Sequence, residues 1–202
     1  MRYPIPAAPH RTREEIERSR FVTTVAPAAS IEEAQAFVAA MREEFPDATH
    51  NCWAYVVGPP GSTTRIGMSD DGEPHGTAGR PMLTALLHGG VGDVAAVVTR
   101  YYGGIKLGTG GLVRAYGGCL QRALVTLPRA ERVEWTALHV LVSYADVATV
   151  RQLVGAHGGA VDAEDYAADV TYALRLPSTA ADAFVAALRD ATRGGAVIEG
   201  DA

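Results

Sequence analysis

Asp93-Val94-Ala95-Ala96-Val97-Val98-Thr99-Arg100-Tyr101-Tyr102-Gly103-Gly104-Ile105-Lys106-Leu107-Gly108-Thr109-Gly110-Gly111-Leu112-Val113-Arg114 changes character twice. Val94 to Val98 is an unbroken apolar run, the pattern of a strand covered on both faces. Five glycines follow, at 103, 104, 108, 110 and 111. Leu112, Val113, Tyr116, Cys119, Leu120, Ala123, Leu124 and Leu127 then recur at helical spacing. The stretch predicts a buried strand, a glycine-rich bend and an amphipathic helix with Cys119 on its core face.

Working back from it, Pro81 to His88 is apolar enough for a helix and ends at Gly89-Gly90. Ser62 to Gly79 is polar and rich in turn residues, so a loop is expected there. Cys52 to Val57 predicts a strand closed by Gly58-Pro59-Pro60-Gly61. Ser30-Ile31-Glu32-Glu33 is a capping-box pattern, in which the serine oxygen takes a free helix amide and Glu33 reaches back. Ile31, Ala34, Phe37, Val38, Met41 and Phe45 continue that helix until Pro46. Phe21 to Val25 reads as a strand ending at Pro27. Residues 1–18, Pro-rich and then charged, are expected to be partly mobile, or helical towards their end.

Working forward, Thr126-Leu127-Pro128-Arg129-Ala130-Glu131 reads as an interdomain connection. Trp135–Tyr144 predicts a strand, and Asp146 a capped helix through Val147, Val150, Leu153 and Val154. Two strands follow, Ala160–Asp165 and Asp169–Leu176. A helix capped by Ser178 or Thr179 carries Phe184, Val185 and Leu188, and a last strand spans Ala196–Glu199. That β-α-β-β-α-β order is the ferredoxin-like split pattern. The expected architecture is α+β, with domains at 1–127 and 128–202.

The chain has 202 residues, 48% hydrophobic and 20% charged, which suits a globular protein rather than a disordered one. No apolar stretch is long enough for a membrane span, and the start does not resemble a secretory signal. Cys52 and Cys119 are the only cysteines, so reduced thiols and a cytoplasmic location are expected. Residues 1–127 carry 12 basic and 12 acidic side chains; residues 128–202 carry 6 and 11, and hold the whole formal charge of −5. Within the neutral part, residues 98–122 contain Arg100, Lys106, Arg114 and Arg122 and no acid. Such a local excess attracts anions on an acidic molecule.

Two constellations carry chemistry. The glycine-rich bend lets successive amides face one concavity, and the helix that follows adds positive charge at its N-terminus. Gly103, Gly104, Gly108, Thr109, Gly110 and Gly111 supply the amides, and Arg100, Lys106 and Arg114 the cations. Standard nucleotide patterns fail: Thr109 stands where a P-loop needs lysine, and Val113 where a dinucleotide turn needs its third glycine. A tight structural turn is the competing explanation. The second constellation is Asp70, Asp71, Gly72, Glu73, His75, Gly76, Thr77, Gly79 and Arg80. Its carboxylates lack calcium-loop spacing and suit turn chemistry, with Asp70 or Asp71 pairing with Arg80 or Arg100. No resident metal or cofactor is expected. His50 and Cys52 share one strand face, half a metal site at most. Familiar hydrolase signatures are absent.

Ser69-Asp70-Asp71-Gly72-Glu73-Pro74, Gly76-Thr77-Ala78-Gly79-Arg80-Pro81 and Thr99 to Tyr116 together resemble the signature of the IMPACT family, specifically its bacterial YigZ-type members. Ser19-Arg20-Phe21 and His50-x-Cys52-x-Ala54-Tyr55 fit as well. The resemblance covers nearly the whole chain. It implies an N-terminal domain with the fold of the second domain of ribosomal small-subunit protein five, and a C-terminal domain similar to the last domain of elongation factor G. Eukaryotic IMPACT regulates the starvation-response kinase acting on initiation factor two. For a bacterial relative this implies a translation-linked, stress-related binding role. Some relatives carry a proline-dipeptidase label.

The expected function is therefore non-enzymatic, regulatory binding to RNA, the ribosome or a translation factor. Arg20, Arg80, Arg100, Lys106 and Arg114 are expected on phosphates, and Tyr101 is the candidate for stacking, since Tyr101 and Tyr102 point to opposite faces. The alternative is a small metal-assisted hydrolase using Asp70, Asp71, Glu73 and His50. A third possibility makes the acidic C-terminal domain a protein-docking surface.

Overall fold

A computed structural model describes residues 2–200. The described residues divide into two compact units, Tyr3–Arg132 and, with Arg2, residues 133–200. Both mix helix and sheet, so the fold is α+β.

The first unit is built on an antiparallel sheet. Its strands are β2 (His10–Ile16), β3 (Ser19–Pro27), β4 (His50–Val57), β5 (Arg65–Ser69) and β6 (Val94–Tyr101), in the order β2-β3-β6-β4-β5. β1 (Arg2–Pro6) and β7 (Arg129–Val133) pair separately. The apolar run at 94–98 is the central strand β6, wholly buried as its composition requires. Alternate residues point to opposite faces. Val94, Ala96 and Val98 pack with α2 (Gly79–His88) and α3 (Gly108–Thr126); Ala95 and Val97 pack among the residues beneath α1 (Ile31–Glu44). The capping box at α1 forms: Ser30 Oγ accepts from the Glu33 amide (3.2 Å), and the Glu33 carboxylate takes the Ala29 amide (2.8 Å).

Four features differ from expectation. Residues 2–16 form two strands. β2 is a charged edge strand, where ionic side chains are tolerated because one side meets solvent. Prolines 4 and 6 sit in a two-stranded pairing, which spares them a central ladder. β5 lies within the stretch expected to be loop, and β7 begins within the expected connection. The glycine cluster is divided. Gly103 and Gly104 form the bend, whereas Gly108, Gly110 and Gly111 already belong to the first turn of α3.

The second unit contains β8 (Trp135–Val142), α4 (Val147–Ala156), β9 (Ala160–Tyr166), β10 (Val170–Pro177), α5 (Ser178–Ala191) and β11 (Val197–Gly200). Its antiparallel sheet runs β11-β8-β10-β9, the ferredoxin-like order. Val140, Tyr172, Leu174, Phe184 and Leu188 fill its core. The expected caps are absent. Asp146 ends a single 3₁₀ turn and its carboxylate accepts from Ser143 Oγ (2.8 Å). At α5 the capping position is Pro177, and no side chain caps the helix. Among the described residues, no helix is long and apolar enough to cross a membrane.

Candidate functional site: a cationic cavity at the start of α3

The loop between β5 and α2 is organised by Asp70. One oxygen accepts from the amides of Ala78 (3.0 Å) and Gly79 (2.8 Å) at the start of α2; the other accepts from Gly76 (2.7 Å). Burial opposes ionisation of this carboxyl, but the three amides together hold it below the usual carboxylate range. Asp70 therefore occupies the positive end of α2 itself. Asp71 turns the other way, accepting from the Asn51 amide (2.7 Å) and pairing with Arg42 (2.6 Å). Thr77 Oγ1 donates to the Pro74 carbonyl (2.6 Å). Gly79 lies against β5, where a Cβ would come within 2.9 Å of the Ser69 carbonyl carbon. His50 Nδ1 lies 2.9 Å from the Asp71 carbonyl, and Cys52 Sγ donates to the Asp70 carbonyl (2.9 Å).

Glu73 points inward. Its Oε1 accepts from Arg100 Nη1 (2.6 Å) and from the Tyr116 hydroxyl (2.7 Å), while Oε2 lies 3.8 Å from His50 Nε2. Burial, then neighbouring Cys52 and Glu73, push the Tyr116 phenol well above its ordinary range, so it stays a donor. Arg100 Nη2 donates to Ser19 Oγ (3.1 Å), and its Nε is buried with no partner.

These groups underlie a cavity of about 350 Å³ that joins the two constellations. Glu73 and Pro74 come from the loop, Arg100 from the end of β6 and Tyr102 from just after it; Lys106 and Leu107 lead into α3, which supplies Gly108, Thr109 and Leu112. No side chain caps α3 and no acid lies in its first turn. The amides of Gly108, Thr109 and Gly110 are thus open to an external acceptor. A second cavity, about 470 Å³, runs between α2 and α3 beside Gly76, Arg80, Arg114 and Gly117. A third, about 460 Å³, shares Lys106, Leu107 and Arg114. The side chains of Arg80, Lys106 and Arg114 have no hydrogen bond or ion pair among the described residues.

Several expected site residues lie elsewhere. Arg100 is not available to a phosphate as a free cation, because Glu73 neutralises it in a buried pair. Arg20 and Tyr101 are register partners on the α1 side of the sheet; the Arg20 guanidinium lies 4.2 Å from the Tyr101 ring centre, and the Tyr101 hydroxyl donates to Asp47 (3.1 Å). The aromatic ring in the cavity is Tyr102. It follows Arg100 in strand parity, a signal present in the sequence. Gly103 packs on Arg18 and gives its amide to Ser19 Oγ (3.3 Å), so it shapes the bend and offers no free donor. Gly72 lies beside the His50 ring, and Gly104 turns the bend with φ +89°. Gly111 packs on Leu107. Ser19 and Tyr116 are polar anchors that are visible in the sequence only as a motif flank and a core position.

The proposed hydrolytic set does not converge. Asp70 faces amides, Asp71 faces Arg42 and Glu73 faces Arg100. Among the described residues, no group of three or more His, Cys, Asp or Glu side chains is placed to hold a metal ion.

Residues 17–124, which carry every part of this cavity, match the Impact N-terminal domain. The chain belongs to the IMPACT family. In the C-terminal part, residues 140–194 match a domain of unknown function, DUF1949. IMPACT family member YigZ of Escherichia coli (strain K12) is 46% identical over 94% of this chain and 93% of its own length. An IMPACT family member of Haemophilus influenzae is 40% identical, covering 98% of this chain and 96% of that protein. A crystal structure described as that of a hypothetical protein is similar at a TM-score of 0.71 and 43% identity, covering 100% of this chain and 98% of that one. IMPACT proteins are translation-related regulators, and the cavity lies within the domain for which the family is named.

Proposed function

We propose that this IMPACT protein is a non-enzymatic, translation-linked binding protein of the cytoplasm that holds RNA phosphates on the face formed by Arg80, Lys106 and Arg114. One observation carries the proposal: three cations without partners among the described residues border adjoining cavities around a helix N-terminus whose amides are uncapped. Such a surface neutralises phosphates, releases their counterions and contributes no base-specific contact. Glu73, the acid lining the cavity at the start of α3, is already neutralised by Arg100. The acidic C-terminal unit is a poor competitor for RNA, so binding is assigned to residues 3–132.

The test is a salt titration of single-stranded RNA binding by the full chain. Affinity is expected to fall steeply with salt. Lys106→Ala with Arg114→Ala is expected to shallow the log–log slope by roughly 0.7 for each phosphate no longer neutralised. Salt-independent binding, or an unchanged slope in the double variant, overturns the proposal. Mass spectrometry of what copurifies before and after a high-salt wash then separates ribosomal RNA from a translation factor.

A further inference from the structure

The cavity at the start of α3 has more than a phosphate needs. Its cationic part is Lys106 and the open amides of Gly108, Thr109 and Gly110. The rest is apolar: Tyr102, Pro74, Leu107 and Leu112 supply walls suited to a flat hydrophobic body. Tyr102 is 46% exposed and its hydroxyl has no partner among the described residues. Its ring is braced rather than loose. The backbone amide donates to Thr49 Oγ1 (3.0 Å), and the Arg100 guanidinium lies 5.5 Å from the ring centre. At the buried end, Arg100 is only 5% exposed, yet its Nε lacks an acceptor. Unpaired buried donors of this kind are uncommon and call for a partner. Beside it, Glu73 Oε2 makes no hydrogen bond among the described residues and lies 3.8 Å from His50 Nε2.

We propose that this cavity binds one nucleoside monophosphate unit, its phosphate on Lys106 and the first amides of α3 and its base against Tyr102. A base brings a π-face for the tyrosine and an edge carrying both donors and acceptors for Glu73 and Arg100. The volume of about 350 Å³ is at the small end of ligand cavities, which suits a single nucleotide and excludes a duplex. Glu73 does not repel the phosphate, because its charge is offset by Arg100. The proposal rests on phosphate binding at this face and deepens it: the same site takes a nucleotide unit either free or splayed out of single-stranded RNA.

Calorimetry on the full chain with inorganic phosphate, the four nucleoside 5′-monophosphates and a short single-stranded RNA tests it. At least one nucleotide is expected to bind tenfold or more tightly than phosphate alone. Tyr102→Ala is expected to remove most of that advantage, because base–aromatic stacking disappears (roughly 5-fold or more); Tyr102→Phe retains it. Lys106→Ala is expected to weaken phosphate and nucleotide alike. Competition between the free nucleotide and the RNA identifies a shared site, whereas tight binding of RNA with nucleotides no better than phosphate overturns the pocket and leaves the phosphate face standing. Loss of the Lys106 and Arg114 salt effect as well removes both. Equal nucleotide affinity in Tyr102→Ala and the parent also overturns the pocket, and a thermal melt of each variant confirms that it is folded.

Discussion

Arg100 and Glu73 form an ion pair at 2.6 Å between side chains that are 6% and 4% exposed. The pair joins β6 to the loop before α2, and Tyr116 adds α3 to the same carboxylate oxygen. Removing one member leaves a charge buried without its counterpart, which is more costly than replacing both. Glu73→Ala is expected to lower stability by about 3–5 kcal/mol, measured by urea unfolding. Glu73→Ala combined with Arg100→Met is expected to be more stable than Glu73→Ala alone. Additive losses in the double variant would show that the pair is not the principal interaction of either side chain.

Asp70 acts as the N-terminal cap of α2 although it lies eight residues before Ala78. Its replacement by alanine is expected to cost about 1–3 kcal/mol; Asp70→Asn, which keeps one oxygen acceptor, is expected to cost less. The pH dependence has a definite sign. The folded carboxyl titrates below its ordinary value, so its contribution is complete above the ordinary carboxylate range and disappears as pH falls through the depressed folded value. The stability gap between the parent and Asp70→Asn is therefore expected to narrow on acidification. Denaturant melts in a series of buffers from neutral to acid check it, and a gap that widens in acid contradicts the assigned role.

The two thiols make a separate prediction. Burial pushes the Cys52 thiol far above its ordinary range, and it pushes Cys119 up to about 12. Both side chains are inaccessible, and the thiolate is the reactive form. A thiol-specific reagent at mildly alkaline pH is expected to label neither cysteine in the native protein and both in denaturant. Rapid native labelling of Cys52 would show that the loop carrying Asp70 opens readily.

These residues also show how much is legible in the sequence. The second unit is readable almost entirely, because its strands alternate and its helices carry clear apolar stripes. The first unit yields its central strand from an unbroken apolar run, β3 and β4 from their β-branched and aromatic residues, and three helices from their apolar stripes. β1, β2, β5 and β7 are not readable, since they are short, charged, proline-bearing or polar and depend on pairing with strands distant in sequence. In the site, the glycines and the lone lysine stand out, and the two bends that bear them do meet. The assignment of Arg100 to a phosphate fails because local charge counts contain no acid near it in sequence, whereas Glu73 reaches it through the fold. The choice of Tyr101 over Tyr102 fails for a different reason: strand parity puts Tyr102, not Tyr101, on the face that Arg100 occupies.

Gly103 and Gly110 lie seven positions apart in one glycine-rich stretch and have opposite requirements. A Cβ at Gly103 would come within 1.9 Å of the Arg18 carbonyl oxygen, a backbone atom of the turn joining β2 to β3. No rotamer relieves that overlap, so either the bend or the turn must move. Gly103→Ala is expected to destabilise by more than about 2 kcal/mol and to weaken binding, because it shifts Tyr102 and Lys106 together. At Gly110 the nearest atom to an added Cβ is the mobile end of Arg114, at 3.7 Å, and the residue sits in the first turn of α3. Gly110→Ala is expected to be neutral or stabilising by up to about 1 kcal/mol. Thermal unfolding of the two variants side by side decides the matter. If Gly110→Ala is the more damaging substitution, the first turn of α3 needs glycine for folding, and its backbone is not simply left open for an anion.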